Sequence, residues 1–389
     1  MKKILFVHTE YTETGGEDIA VKNEINFLKN HYEVETLIFN NSLKISIKDL
    51  FWFVLNNNKE SVKELKIKLF NFDPDYIYVH NLWFKGSLGI LKYINKNQFK
   101  VILKMHNFRY FCTKSYLSNR HLQNNDMCLA CGMQKKTIGI FNKYFTDSLA
   151  KSVLVTYFGH KYFKILKNGN FKILTLTNHH KSFLIELGFE ESRLYVLPNP
   201  SPKLEKILDT GNSQTKQIVY AGRISKEKGI IELLQTWNKL ETKEHKLIII
   251  GDGPACNEVK GIIENIESIV LMGYRENQDV IKIISESKAV VTTTKLYEGQ
   301  PTLLSESSAL GVPSIFPNSG GIAEFFYSDY EYIFKQFDYE DLLAKLQQII
   351  DINDLREVGK KNKNYILEFL DENKLLTRFE KILGASNEK

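Results

Sequence analysis

The chain has 389 residues, 52 Lys+Arg against 46 Asp+Glu, a net charge of +6 and 43% apolar side chains. That length exceeds the ~250–300 residues one hydrophobic core supports, so it predicts two domains. The composition excludes a disordered chain, and no apolar run approaches the ~18 residues of a membrane span. Nor does a secretory signal open the sequence, because the apolar residues 4–7 give way at once to His8, Thr9 and Glu10. The expected location is the cytoplasm, where cysteines are thiols or metal ligands before they are disulfides.

Charge is unevenly placed. Residues 1–200 carry 28 Lys+Arg and 17 Asp+Glu, a balance of +11, and residues 201–389 carry 24 and 29, a balance of −5. A basic half favours phosphates or an anionic membrane face. Nucleic acid is set aside, since the chain has no Cys/His finger spacing, no RNP-type aromatic motif and no dense basic stripe.

In chain order, residues 3–7 (KILFV) read as a buried strand, followed by a turn-rich stretch at 12–16. Apolar residues over 19–28 recur at helical spacing. Residues 34–39, 76–80, 101–105, 174–177 and 195–197 read as further strands, with a helical pattern over 88–94. Three prolines, Pro198, Pro200 and Pro202, then lead into a polar stretch at 209–216 that reads as a linker. The pattern restarts with strands at 218–221, 246–250, 270–272 and 289–292, and residues 341–383 read as helices. Apolar strands alternating with helices mean parallel sheets covered on both faces. Two doubly wound α/β halves are expected, joined near residue 200. Ligands of such sheets bind at the carboxyl ends of the strands, so a cleft between the halves is the expected site.

The sharpest chemical signal is Tyr297-Glu298-Gly299-Gln300-Pro301-Thr302-Leu303-Leu304-Ser305-Glu306. Glu298 falls in a strand-to-helix loop, and Glu306 lies inside the helix starting near Thr302. A helix start presents free N–H groups to phosphate, while carboxylates beside it suit sugar and ribose hydroxyls. Pro301 removes one N–H yet fits just before a helix. A second signal, Tyr220-Ala221-Gly222-Arg223-Ile224-Ser225-Lys226-Glu227-Lys228-Gly229, follows a strand. There Arg223 offers a planar fork and Lys228 a point charge, enough to neutralise a diphosphate without metal.

These two segments resemble glycosyltransferase family 4, the retaining enzymes of GT-B architecture. The first matches that family's E-x7-E motif and the second its phosphate-binding Arg and Lys. The likeness extends to Thr14-Gly15-Gly16-Glu17, Val79-His80-Asn81, Lys104-Met105-His106-Asn107, Leu197-Pro198-Asn199-Pro200 and Ser319-Gly320-Gly321-Ile322-Ala323-Glu324. It covers nearly the whole chain, with the motifs in the family's order.

The resemblance implies two Rossmann-like domains facing across a cleft. Residues 1–200 would bind the acceptor and 201–369 the nucleotide-sugar, and a C-terminal helix near 370–389 would pack back on the first domain. Arg223 and Lys228 would hold the diphosphate, and Glu306 the ribose hydroxyls. Glu298 would contact the donor sugar, helped by the backbone at Gly299. The base would be read through backbone near Gly273 and Tyr274. His106 would face the reacting centre, and Gly15 and Gly16 would let the first loop approach phosphates and acceptor. The implied reaction is metal-independent transfer, with no cofactor, from a nucleotide-diphosphate sugar to a glycan hydroxyl. The expected acceptor is lipid-linked, at the inner face of the cytoplasmic membrane, in capsule, O-antigen or similar polysaccharide assembly. An epimerase or phosphorylase on the same fold, or a non-catalytic nucleotide-sugar-binding protein, is the alternative.

Other features read more plainly. His80 is structural. Asp73-Pro74-Asp75 resembles a metal-binding D-x-D but sits at a proline turn before a strand, so no metal role is assigned. Gly251 and Gly253 lack the third glycine of a dinucleotide fingerprint. Cys112, His121, Cys128 and Cys131 could hold zinc, but three cysteines and one histidine read first as reduced thiols in a loop. Residues 138–166 mix aromatics with lysines, which suits either a membrane interface or a core-facing helix.

Overall fold

The computed structural model describes residues 1–11, 16–41, 46–108, 149–200, 215–240, 242 and 244–384. The chain divides into two compact units. The first takes the described residues up to 200 and then 372–384, and the second takes the described residues from 215 to 371.

Unit 1 contains strands β1 (Lys3–Glu10), β2 (Glu33–Asn40), β3 (Tyr76–Val79), β4 (Val101–Met105), β5 (Phe171–Thr175) and β6 (Leu194–Val196). They form one sheet in the order β2-β1-β3-β4-β5-β6, with every pairing parallel. β3, β4 and β5 are buried along their whole length, which is why they are mostly apolar, with Lys104 and Lys172 as the charged exceptions in β4 and β5. The helices are α1 (Gly16–Lys29), α2 (Ile47–Leu55), α3 (Lys59–Phe72), α4 (Leu88–Lys96), α5 (Leu149–Asn168) and α6 (Asn178–Glu186). Sequence periodicity missed α2 and α3. Their starts are nevertheless written in the chain: Ser46 and Asp49 close a reciprocal capping box, and the Asn58 side chain accepts from the Glu60 and Ser61 N–H groups.

Unit 2 contains β7 (Gln217–Ala221), β8 (Lys246–Ile250), β9 (Ile269–Gly273), β10 (Ala289–Val291), β11 (Ser314–Pro317) and β12 (Ile333–Phe334). Their order is β12-β11-β10-β7-β8-β9, again parallel. Helices α7 (Ile230–Trp237), α8 (Cys256–Ile263), α9 (Asn277–Ser285), α10 (Thr302–Leu310), α11 (Tyr339–Asp351) and α12 (Arg356–Phe369) cover it. Each sheet reverses its strand order once, between β1 and β3 and between β7 and β10. Such reversals open the loops at the strand ends into a crevice.

The last helix, α13 (Glu372–Gly384), belongs to unit 1. Its Leu375, Phe379, Ile382 and Leu383 join the core beneath β1 and β3. Its carboxyl end is held by polar groups: Tyr76 OH donates to the Leu383 carbonyl at 3.0 Å, and Lys172 Nζ reaches the carbonyls of Ile382 and Leu383. A lysine here satisfies orphan carbonyls and complements the helix dipole.

One charged pair lies inside unit 1. Lys104, in the middle of β4, points its ammonium at both oxygens of Glu24 on α1, at 2.9 and 3.0 Å, and Tyr78 OH donates to the same carboxylate at 2.7 Å. Lys104 and Glu24 are almost fully buried. Burial lowers the Lys104 pKa and raises that of Tyr78. Lys104→Met should therefore cost unit 1 roughly 3–5 kcal/mol, because it strands a buried carboxylate. Adding Glu24→Gln should recover most of that loss, since the amide oxygen still accepts from Tyr78. Urea unfolding of wild type and the two variants checks this.

Candidate functional site

The loops at the two strand-order reversals carry several of the residues singled out by sequence. In unit 2, β7 ends at Ala221 and runs into Gly222, Arg223 and a 3-10 turn over Lys226–Lys228. β10 ends at Val291 and runs through Thr294 and Glu298 to α10. Adjacent strands thus bring the two segments together. Lys228 Nζ pairs with Glu298 Oε1, which also accepts from Thr294 Oγ1 at 3.1 Å.

Two glycines fix that loop. Gly229 has φ +72°, and a Cβ there would overlap the Thr293 carbonyl. Gly320 has φ +59°, and a Cβ there would overlap the Glu298 backbone. The neighbouring Gly321 N–H donates to the Glu298 carbonyl at 2.9 Å. Side chains could adopt neither position without moving the carboxylate loop. Gln336 Nε2 adds a bond to the Thr294 carbonyl at 3.2 Å.

Glu306 lies at the middle of α10, about one turn past its start. It is buried, and Asn277 Nδ2 donates to its Oε1 at 3.2 Å. Desolvation pushes its pKa up to about 7. A carboxyl so placed gains from hydroxyl donors that stabilise its charged form. α10 begins at Pro301, and no capping side chain takes up its first N–H groups. Arg223 is exposed, while Gly299 is buried in the turn before Pro301. Gly273 ends β9 with open space around it, and the Tyr274 side chain is exposed.

The unit 1 residues converge separately on the ends of β1, β3 and β4. A small cavity there is lined by Tyr11, Glu17, His80, Asn81, His106 and Asn107, among others. His80 Nδ1 and His106 Nε2 are 2.8 Å apart. Burial holds both rings well below the ordinary imidazole pKa, so both are neutral at pH 7. One proton joins the two rings. Whichever ring donates, one N–H and one lone pair remain on His80 Nε2 and His106 Nδ1, both buried with no partner among the described residues. Glu17 Oε2 accepts from Tyr11 OH at 2.8 Å and Asn107 Nδ2 at 2.7 Å. His8 Nε2 contacts Asp18 Oδ1 at 2.9 Å. Gly16 opens α1, whereas Gly15 lies outside the described residues.

Cys112, His121, Cys128 and Cys131 also lie outside the described residues. Among those described, Glu24, His80 and His106 have ligand atoms close enough to share an ion. The Lys104 ammonium already occupies both Glu24 oxygens, and its charge opposes a cation there. Asp73 caps α3 in a left-handed conformation, and Asp75 accepts from the Lys3 N–H at 2.7 Å. In α5, Phe158 and Tyr162 are buried and Tyr157 is exposed, with Lys161 Nζ 4.1 Å from the Tyr157 ring centroid.

Sequence reasoning missed Thr294, Asn277, Gln336 and the Glu24–Lys104 pair. Only the last left a signal, a lysine inside an apolar strand.

Comparisons with known proteins bear on family and fold. Residues 206–365 match the family described as glycosyl transferases group 1. The amylovoran biosynthesis glycosyltransferase AmsD of Erwinia amylovora is 30% identical over 195 residues, covering 48% of this chain and 54% of that protein. The capsular polysaccharide biosynthesis glycosyltransferase CapM of Staphylococcus aureus is 26% identical over 240 residues, covering 58% and 61%. The chain thus matches little more than half the length of these relatives. Anabaena HepE, solved in complex with UDP and glucose, superposes with a TM-score of 0.68 at 13% identity, covering 99% of this chain and 100% of that one. The second unit thus resembles the group 1 glycosyl transferases, and the chain has the two-domain α/β GT-B fold.

The raised Glu306 pKa makes a stability prediction. Between the ordinary carboxyl pKa and about 7, the folded state keeps a proton that the unfolded state releases. Ligand-free stability should therefore fall as pH rises from 5 to 7, and Glu306→Gln should flatten that slope. Denaturant titrations at pH 5, 6, 7 and 8 measure it; equal slopes in both proteins would contradict the assignment.

Proposed function

We propose that this chain is a retaining glycosyl transferase that needs no metal, moving a sugar from a nucleoside-diphosphate sugar to a hydroxyl of a lipid-linked glycan. The observation that carries this reading is the convergence, at one strand-order reversal, of a lysine, two carboxylates and an uncapped helix start. Lys228, Arg223 and the α10 N–H groups provide positive charge for the diphosphate, the role a metal ion would otherwise fill. Glu306 accepts the ribose hydroxyls, and Glu298 a hydroxyl of the donor sugar.

In the proposed step the acceptor oxygen bonds to the anomeric carbon on the face the diphosphate leaves. The carbon–oxygen bond to the diphosphate breaks, and the acceptor's proton passes to the departing phosphate oxygen. The protein positions the reactants and stabilises charge on the leaving group. His106 offers the acceptor a neutral ring that either donates or accepts a hydrogen bond.

The polysaccharide products named for AmsD and CapM support an envelope glycan as product. A membrane-borne acceptor is supported by α2. Its Ile47, Leu50, Phe51, Val54 and Leu55 recur at i, i+3, i+4, i+7 and i+8, and all five are exposed, Ile47 to 88%. An apolar stripe on a helix of the basic half suits the interface of an anionic membrane. Among the described residues, no helix is long and apolar enough to cross a membrane.

Release of nucleoside diphosphate from UDP-, GDP-, ADP- and dTDP-sugars tests the reading, with and without vesicles of membrane lipid extract. One donor should give lipid-dependent release. Glu306→Ala should cut it at least tenfold, and Phe51→Asp with Leu55→Asp should abolish vesicle binding. No release and no binding of any donor would overturn the assignment.

A further inference from the structure

Lys228 and Glu298 are assigned to opposite ends of the donor, the diphosphate and the sugar, yet here they are bonded to each other. Each therefore blocks the other's ligand. Among the described residues, no other cation contacts Glu298; its remaining bond is from the Thr294 hydroxyl. The carboxylate also has little room to retreat, because Gly229 and Gly320 pack directly on the backbone of its loop.

We infer that the Lys228–Glu298 pair couples diphosphate recognition to sugar recognition, so that the site retains intact nucleotide-sugar and releases nucleoside diphosphate. The inference rests on the donor-site reading proposed above and extends it to discrimination between donor and product. When a diphosphate draws Lys228 away, Glu298 loses its counter-ion while facing new negative charge. An intact donor replaces the lost ammonium with sugar hydroxyls, which donate to the carboxylate. After transfer the sugar is gone. Glu298 is again unpaired, and it competes with the diphosphate for Lys228. The carboxylate thus favours donor entry and product exit with the same charge.

The pair is partly solvent-exposed, with side chains 33% and 22% accessible, so the coupling is modest. Glu298→Gln keeps the side-chain shape and can still accept from Thr294, but it no longer holds Lys228. This variant should bind nucleoside diphosphate about 2- to 5-fold more tightly than wild type. Its affinity for the intact nucleotide-sugar should not rise. In a Lys228→Met background the gain on Glu298→Gln should shrink, because no ammonium remains to be freed.

Calorimetric titration with UDP, GDP, ADP and dTDP, then with the matching nucleotide-sugar, tests this in wild type, both single variants and the double variant. Tighter diphosphate binding in Glu298→Gln that depends on Lys228 supports the coupling. A diphosphate that binds all four proteins with no Lys228-dependent gain overturns the coupling and leaves the donor site standing. If none of the four diphosphates binds wild type, the donor-site reading falls and the coupling falls with it.

Discussion

The second unit depends on how closely its loops approach at the reversal between β7 and β10. The stretch from Thr293 to Glu298 is pressed by Gly229 at one end and by Gly320 at the other. That double contact sets where the Glu298 carboxylate lies, and so which cation it meets. Thr294 serves twice, its hydroxyl holding Glu298 and its carbonyl taking the Gln336 amide. Parallel strands supply the register, but the absence of two Cβ atoms lets the loops close on it. Catalysis by positioning requires such a frame, since groups that reorganise during the reaction stabilise little.

The two units handle charge in opposite ways. Unit 1 neutralises what it buries: Lys104 is matched by Glu24, and the His80–His106 pair is kept uncharged by burial. Its cavity offers hydrogen bonds from neutral rings, amides and phenols, beside the Glu17 carboxylate. That chemistry suits hydroxyl groups. Unit 2 keeps its charges reachable, with Arg223 exposed and the Lys228–Glu298 pair partly so. Glu306 is the exception, a buried carboxyl with no cation beside it among the described residues. The division is the one that the proposed transfer, from an anionic donor to a hydroxyl acceptor, requires.

Much of this was legible in the chain. Apolar runs at β3, β4, β7 and β8 announce parallel strands, because strands buried on both faces have no polar side to alternate with. The spacing of Glu298 and Glu306 is legible because one helix start separates them. Helices α2 and α3 escaped periodicity because α2 exposes its apolar stripe, so its pattern points to no core. Their caps, Ser46 with Asp49 and Asn58, were the better signal. Thr294, Gln336 and Asn277 were not legible at all. Gln336 and Asn277 act on partners 42 and 29 positions away, and Thr294, though only four positions from Glu298, is a lone Thr that carries no pattern. Nor could spacing reveal that Lys228 and Glu298, 70 positions apart, would be bonded to each other.

The most direct test of the central claim is a hydrogen-exchange footprint of the whole chain with a bound nucleotide-sugar. The account predicts slowed amide exchange in the segments around residues 221–229 and 298–306, where loop and helix-start N–H groups meet the diphosphate and Glu298 and Glu306 meet hydroxyls. Protection confined to the β3 and β4 ends near His80 and His106, with residues 221–229 and 298–306 unchanged, would contradict it.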